Sequence, residues 1–336
     1  MGEIIDLPEG AVIDAPGFYR ISLDRHHAQP CMTRDRLAEI QSGAAPEPHE
    51  VSVTSGVLRK MELETPADVW AFSLLNPRRY EPVEKPALRM GRAIAAMIEG
   101  GVMELEKHFV VPEDDAPRRP TPQQLLAYEE ERATEAGIMS VEYWRAMDAD
   151  PRVVLKQSEW ELIVAMGEVL SLSPEAAAVM EGLPEVTMAW QDERTGIWCL
   201  ARPDTVSLEG LVADYKKMAT RGDPFSYRLV DRRITQHGYD MQMAFACEGF
   251  ERLTGGWPAS VGIVAQNDTP PYHVILREIA DEDLRLAQFL NRRALNRFAE
   301  CLTLGSWPGP GADTGAYQMP DWKRERVLQD MTIAYQ

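Results

Sequence analysis

Two aspartates and a lysine within thirteen residues carry the clearest potential for chemistry in this chain. In LARPDTVSLEGLVADYKK, residues 200–217, Asp204 stands ten positions before Asp214, and Lys216 follows two further on. Both carboxylates lie in apolar, strand-like runs, with Gly210 marking a turn between them. Alternate residues of a strand share a face, so Asp214 and Lys216 are neighbours in space. A hairpin through Gly210 would bring Asp204 to the same edge of a sheet. Hard carboxylate oxygens beside an ammonium suit Mg²⁺-assisted attack of water on a phosphodiester.

Regular elements must hold these groups. Upstream, LPEVTMAWQDERTGIWCLARPD reads as a strand entered at Glu185, a turn at Arg194-Thr195-Gly196 and a second strand. Alternating apolar positions predict strands over 186–192, 197–206 and 210–216, then helices over 224–234 and 239–254. The second helix carries Tyr239 and Gln242, three apart and therefore on one face. Strands over 260–267 and 272–279 flank the turn Asp268-Thr269-Pro270-Pro271. A helix over 281–303 closes the core, its first turn acidic and its later part basic, as the helix dipole favours. Earlier, helical spacing covers 66–75 and 87–99, and after a Pro-rich loop at 112–121 it resumes over 123–136, 140–148, 153–170 and 174–180. This order predicts one α/β domain over 51–325, a mixed central sheet flanked by helices. Its mainly helical part is 51–181 and its sheet core 182–305, with an irregular arm over 1–50 and a tail over 306–336.

The succession strand-Glu, strand-Asp, strand-Asp-x-Lys, helix-Tyr-x-x-Gln resembles the PD-(D/E)xK nuclease superfamily, in particular its RecE (exonuclease VIII) and lambda-exonuclease branch. RISLDRHHAQPCMT, TPADVWAFSLLNPRR, LRMGRAIAAMIEGG and PPYHVILREIADEDLRLAQFLNRRALNRFAECLTLGSWPG are similar to segments of RecE-like prophage exonucleases, so the likeness spans residues 17–325. It implies a restriction-endonuclease-like core in which Asp204, Asp214 and the backbone carbonyl of Tyr215 hold Mg²⁺, with Mn²⁺ as a substitute. Glu185 would complete the site directly or through water. Lys216 would position the attacking water, and Gln242 would orient Lys216 or touch the scissile phosphate. Lys217, Arg221, Tyr239 and Arg92 are the candidate DNA contacts, Tyr239 equally a packing residue. The activity implied is resection of linear double-stranded DNA, 5′ to 3′, leaving 3′ single strands for recombination. A homo-oligomeric ring around DNA and a single-strand annealing partner of RecT type come with it.

Two positions depart from the family pattern. In Gly91-Arg92-Ala93-Ile94-Ala95, relatives carry a metal-binding His where Ala95 stands, through natural loss or an introduced exchange. Losing an imidazole ligand weakens a metal site. The alternative function is therefore a catalytically silent DNA-end-binding or scaffold protein that keeps the nuclease fold. Lys217 stands where relatives usually have Thr.

Composition narrows the class. At 336 residues and 45% hydrophobic, the chain can bury a substantial core. A net charge of −18 excludes a basic DNA-coating protein but allows positive charge confined to a channel. The candidate clusters are Arg78-Arg79, Arg89 with Arg92, Lys216-Lys217 with Arg221, Arg232-Arg233, and Arg292-Arg293 with Arg297. No apolar run reaches the roughly 20 residues of a membrane span, and the acidic start at Glu3 and Asp6 is unlike a secretory signal. Cys31, Cys199, Cys247 and Cys301 are too dispersed for a disulfide framework or an iron–sulfur cluster, pointing to reduced thiols and a cytoplasmic protein. No Walker-type phosphate loop is present. His26-His27 has no evident partner, and His237 and His273 are not spaced as a metal pair.

Overall fold

A computed structural model describes residues 2–81, 86–184, 186–207, 209–311 and 317–334. Its centre is the strand Leu211–Met218, whose residues are buried from both sides along most of its length. It runs parallel to Ser260–Asn267 and antiparallel to the short strand Thr205–Val206. A parallel neighbour demands a crossover, and the helices Tyr227–His237 and Tyr239–Thr254 supply it. Val274–Glu278 and Leu183–Pro184 complete this five-stranded sheet at its two edges. Gly210 turns the chain between Thr205–Val206 and Leu211–Met218. Its φ is +84°, and a Cβ there would stand 3.1 Å from the Ala259 nitrogen that donates to the Gly210 carbonyl.

A second five-stranded sheet has the order Ile4–Asp6, Gly17–Arg20, Thr187–Gln191, Trp198–Ala201, Ser52–Thr54. The structure thus divides the expected central sheet in two, within a mixed α/β fold flanked by helices. The division falls in the run 197–206, expected as one strand. Trp198–Ala201 joins one sheet and Thr205–Val206 the other. Pro203 lies between them, and a proline cannot donate to a ladder.

Residues 1–50 are also more regular than expected. They hold two strands and the helices Leu23–His27 and Arg34–Gln41, capped by Ser22 and Thr33. Gly17–Arg20 pairs antiparallel with Thr187–Gln191, and Phe18 and Tyr19 are each 2% exposed. Four residues between turn formers are too few to show a period, so the strand is defined by its distant partner.

The helical part comprises Pro86–His108, Pro122–Glu129, Glu135–Ala149, Gln157–Ser171 and Pro174–Met180. The helix expected over 123–136 stops at Glu129, and a new one starts where Thr134 accepts from the Gly137 nitrogen. Met90, Ala93, Ile94, Ile163 and Met166 form a core with Tyr215 and Val264 of the central strands. The opposite sheet face meets Tyr239–Thr254 and Asp281–Leu304 in the main core, through Val212, Met243, Phe245 and Leu284. Among the described residues no single helix is long and apolar enough to cross a membrane, although the bent pair Gln157–Ser171 and Pro174–Met180 has that composition jointly. The four cysteines are buried and unpaired.

His26, without an evident partner in sequence, finds one in the fold. It is 4% exposed, with Nδ1 3.1 Å from Thr187 Oγ1. Burial, then the neighbouring His27 and Arg202, hold its imidazole well below the usual range, and His27 is shifted the same way by burial. The folded chain keeps the buried His26 ring neutral where the unfolded chain would protonate it. The contribution of His26 is therefore complete above about pH 6.5 and is lost as pH falls, at up to about 1.4 kcal/mol per pH unit. Urea midpoints should drop between pH 7.5 and 5.5, and His26→Asn should flatten that slope. An unchanged slope would remove His26 from the account.

Candidate active site

Asp214 and Lys216 project from Leu211–Met218 onto the face that meets Tyr239–Thr254, while Tyr215 turns to the other face and joins the helical part. The Tyr215 hydroxyl donates to Gln266 Oε1 at 2.6 Å, and Gln266 Nε2 donates to the Met166 carbonyl at 2.9 Å. These bonds tie the strand's registration to the helical part behind it.

Asp204 arrives by a different route. Along Leu211–Met218, Thr205–Val206 pairs with Val212 and Ala213, so the ladder on that edge ends before Tyr215. The Asp204 carboxylate takes over, with Oδ2 accepting from the Tyr215 nitrogen at 2.6 Å. In a strand, the N–H and C=O of one residue point to the same edge. The Tyr215 carbonyl is therefore directed to the Asp204 side.

Asp214 is the buried member of the group, its side chain 2% exposed. Gln242 Nε2 donates to its Oδ1 at 2.9 Å, and the Lys216 ammonium pairs with its Oδ2. Gln242 thus orients Asp214, not Lys216. Burial pulls the Lys216 ammonium down, but the Asp214 and Asp204 carboxylates outweigh it and hold Lys216 above its usual value. Lys216 remains 20% exposed, so the group is reachable from solvent. The Tyr239 ring lies 5.0 Å from the Lys216 nitrogen.

Asp204, Asp214 and the Tyr215 carbonyl present hard oxygens on one edge. Asp214 Oδ2 is buried against the Lys216 ammonium. These features fit a small divalent cation. Among the described residues no group of three or more His, Cys, Asp and Glu side chains gathers as a cage. Two carboxylates and a carbonyl match Mg²⁺, which keeps several waters and takes one or two protein carboxylates. Glu185 lies outside the described residues. Ala95 is half-buried on Pro86–His108, the helix whose Met90, Ala93 and Ile94 pack in the core with Tyr215.

The expected DNA contacts divide. Tyr239 stands beside Lys216, and Arg221 is exposed on a loop at φ 51°. Arg92 is exposed on Pro86–His108. Lys217 faces away from Lys216 and pairs with Asp268 at 2.9 Å, so its charge is met within the chain. Most of the other basic clusters are likewise neutralised: Arg79 by Glu81, Arg89 by Glu159, Arg232 by Asp223, Arg292 by Asp192 and Glu248, Arg293 by Glu62.

Sequence reasoning missed Arg59. It extends from the helix Ser55–Leu63 to the second side of the site, with its guanidinium carbon 5.8 Å from the Tyr239 ring. Its local sequence, SGVLRKMEL, looks like any amphipathic helix, and no motif marks it.

Residues 63–317 match a family described as "PDDEXK-like domain of unknown function (DUF3799)". The crystal structure of a "Putative exonuclease" from Eubacterium rectale superposes with a TM-score of 0.56 at 14% identity, covering 90% of this chain and 96% of that one. No curated protein matches the chain significantly.

Proposed function

The chain belongs to the PDDEXK-like family DUF3799, and on that premise we propose that it is a divalent-metal-dependent exodeoxyribonuclease acting at the ends of linear double-stranded DNA. The observation that carries this reading is the convergence of Asp204, Asp214, Lys216 and Gln242 on one sheet edge. Nucleases of the PD-(D/E)xK type generally use divalent metals. Bound Mg²⁺ supplies activation of a water and neutralisation of charge on the phosphate.

The chain's own residues do the rest. Asp204 and Asp214 hold the cation, and Gln242 fixes the rotamer of Asp214 through Oδ1. Lys216 offsets the negative charge that develops on the phosphate and hydrogen-bonds the incoming water. The 5′ to 3′ direction, a ring around DNA, the RecT-type annealing partner and a role in prophage recombination rest on the RecE-like resemblance and form part of the same proposal.

Labelled linear duplex and closed circular DNA of the same sequence, incubated with Mg²⁺ or with EDTA, test it. We expect linear DNA to be degraded with Mg²⁺, the circle to survive, and EDTA to stop the reaction. Cutting of the circle would mean an endonuclease. Ala95 favours a second reading, a silent end-binding protein, which would bind linear duplex without degrading it in either Mg²⁺ or Mn²⁺.

A further inference from the structure

Among the described residues Arg59 forms no ion pair with a carboxylate. Leu58 and Met61 bury its helix, and Arg59 runs past Gly238, where a Cβ would stand 3.3 Å from its Cδ. Gly238, at φ +62°, leaves that passage open. Nη1 donates to the His237 carbonyl at 3.1 Å, whereas Nε is buried with no hydrogen-bond partner among the described residues. Asp214 and Asp240 attract the guanidinium from a distance, yet among the described residues neither forms an ion pair with it.

Two more arginines share this condition. Arg221, Arg233 and Arg59 all act on the His237 imidazole, pushing it down after burial has done so. Among the described residues, none of the three pairs with a carboxylate, in a chain of net charge −18 whose other basic clusters are mostly neutralised. Arg59 and Lys216 both approach the Tyr239 ring, at 5.8 and 5.0 Å. A partly desolvated guanidinium without an anion is costly to hold, and its planar fork suits phosphate oxygens.

We infer that Arg59, flanked by Arg221 and Arg233, binds a DNA backbone phosphate next to the one presented to Asp204, Asp214 and Lys216. This rests on the nuclease reading above and adds to it where the strand enters. The approach runs past His237 and over Tyr239, so the helix Ser55–Leu63 forms one wall of the substrate path.

The test is binding of a fluorescein-labelled linear duplex with Ca²⁺ in place of Mg²⁺, over a range of salt, for the full chain, Arg59→Gln and Arg59→Lys. Losing one phosphate contact should weaken binding about tenfold and make the log–log salt slope shallower by about 0.9, with Arg59→Lys keeping most of the slope. If Arg59→Gln melts early, Arg233→Gln provides the same reading from a site outside the core. Unchanged affinity in both Gln variants overturns the inference and leaves the nuclease reading standing. Weaker binding at unchanged slope also overturns it, since shape and not a phosphate contact was lost. A full chain that neither binds nor degrades duplex overturns the nuclease reading itself.

Discussion

Asp204→Asn should leave the chain folded and lower Mg²⁺-dependent degradation of linear duplex by roughly a thousandfold. The exchange keeps an oxygen to accept from the Tyr215 nitrogen, so the bond that ends the ladder survives. It removes one negative charge from the cation site and nothing from the core. Thermal melting should therefore move by no more than a degree or two, while activity collapses. Retained cleavage by purified Asp204→Asn would remove this carboxylate from the mechanism. Lys216→Ala is a poorer probe. It leaves Asp214, 2% exposed, buried with Gln242 but without its ammonium. Breaking such a pair costs about 3–5 kcal/mol, so we expect both lost activity and a clear drop in the urea midpoint. The difference between the two variants separates chemistry from folding.

Ala95→His should raise Mn²⁺ affinity and cleavage by roughly ten- to a hundredfold, the usual scale for restoring a metal site's supporting ligand. Ala95 sits on Pro86–His108, whose buried face shares a core with Tyr215, the residue between Asp214 and Lys216. Ala95 is half-buried there, between the buried Ile94 and Ala96. Calorimetric titration with Mn²⁺ reads the affinity independently of turnover. Unaltered affinity and activity would mean that the imagined ligand does not reach the cation. A gain in affinity with no cleavage would favour the silent end-binding reading.

The local parts of the site were legible in advance. Asp214 and Lys216 share a face because they are two apart in a strand, and the turn at Gly210 returns the chain within ten residues. Tyr239 and Gln242 follow from helical spacing in the same way. The role of Gln242 was not legible, because its amide could reach either Asp214 or Lys216 until side-chain positions were known. Lys217 looked like a phosphate contact until Asp268, 51 residues away, turned out to neutralise it.

Spacing by itself therefore determined the α/β class, the carboxylate–lysine hairpin and the helix behind it, since each depends on periods of two or 3.6 residues along a short run. Tertiary structure decided the two-sheet arrangement broken at Pro203, the strand Gly17–Arg20, the burial of His26 against Thr187, and the arrival of Arg59 at His237 across 178 residues. Those contacts join segments with no period in common. They exist because closing the core fixes which surfaces meet, and a linear pattern carries no record of that meeting.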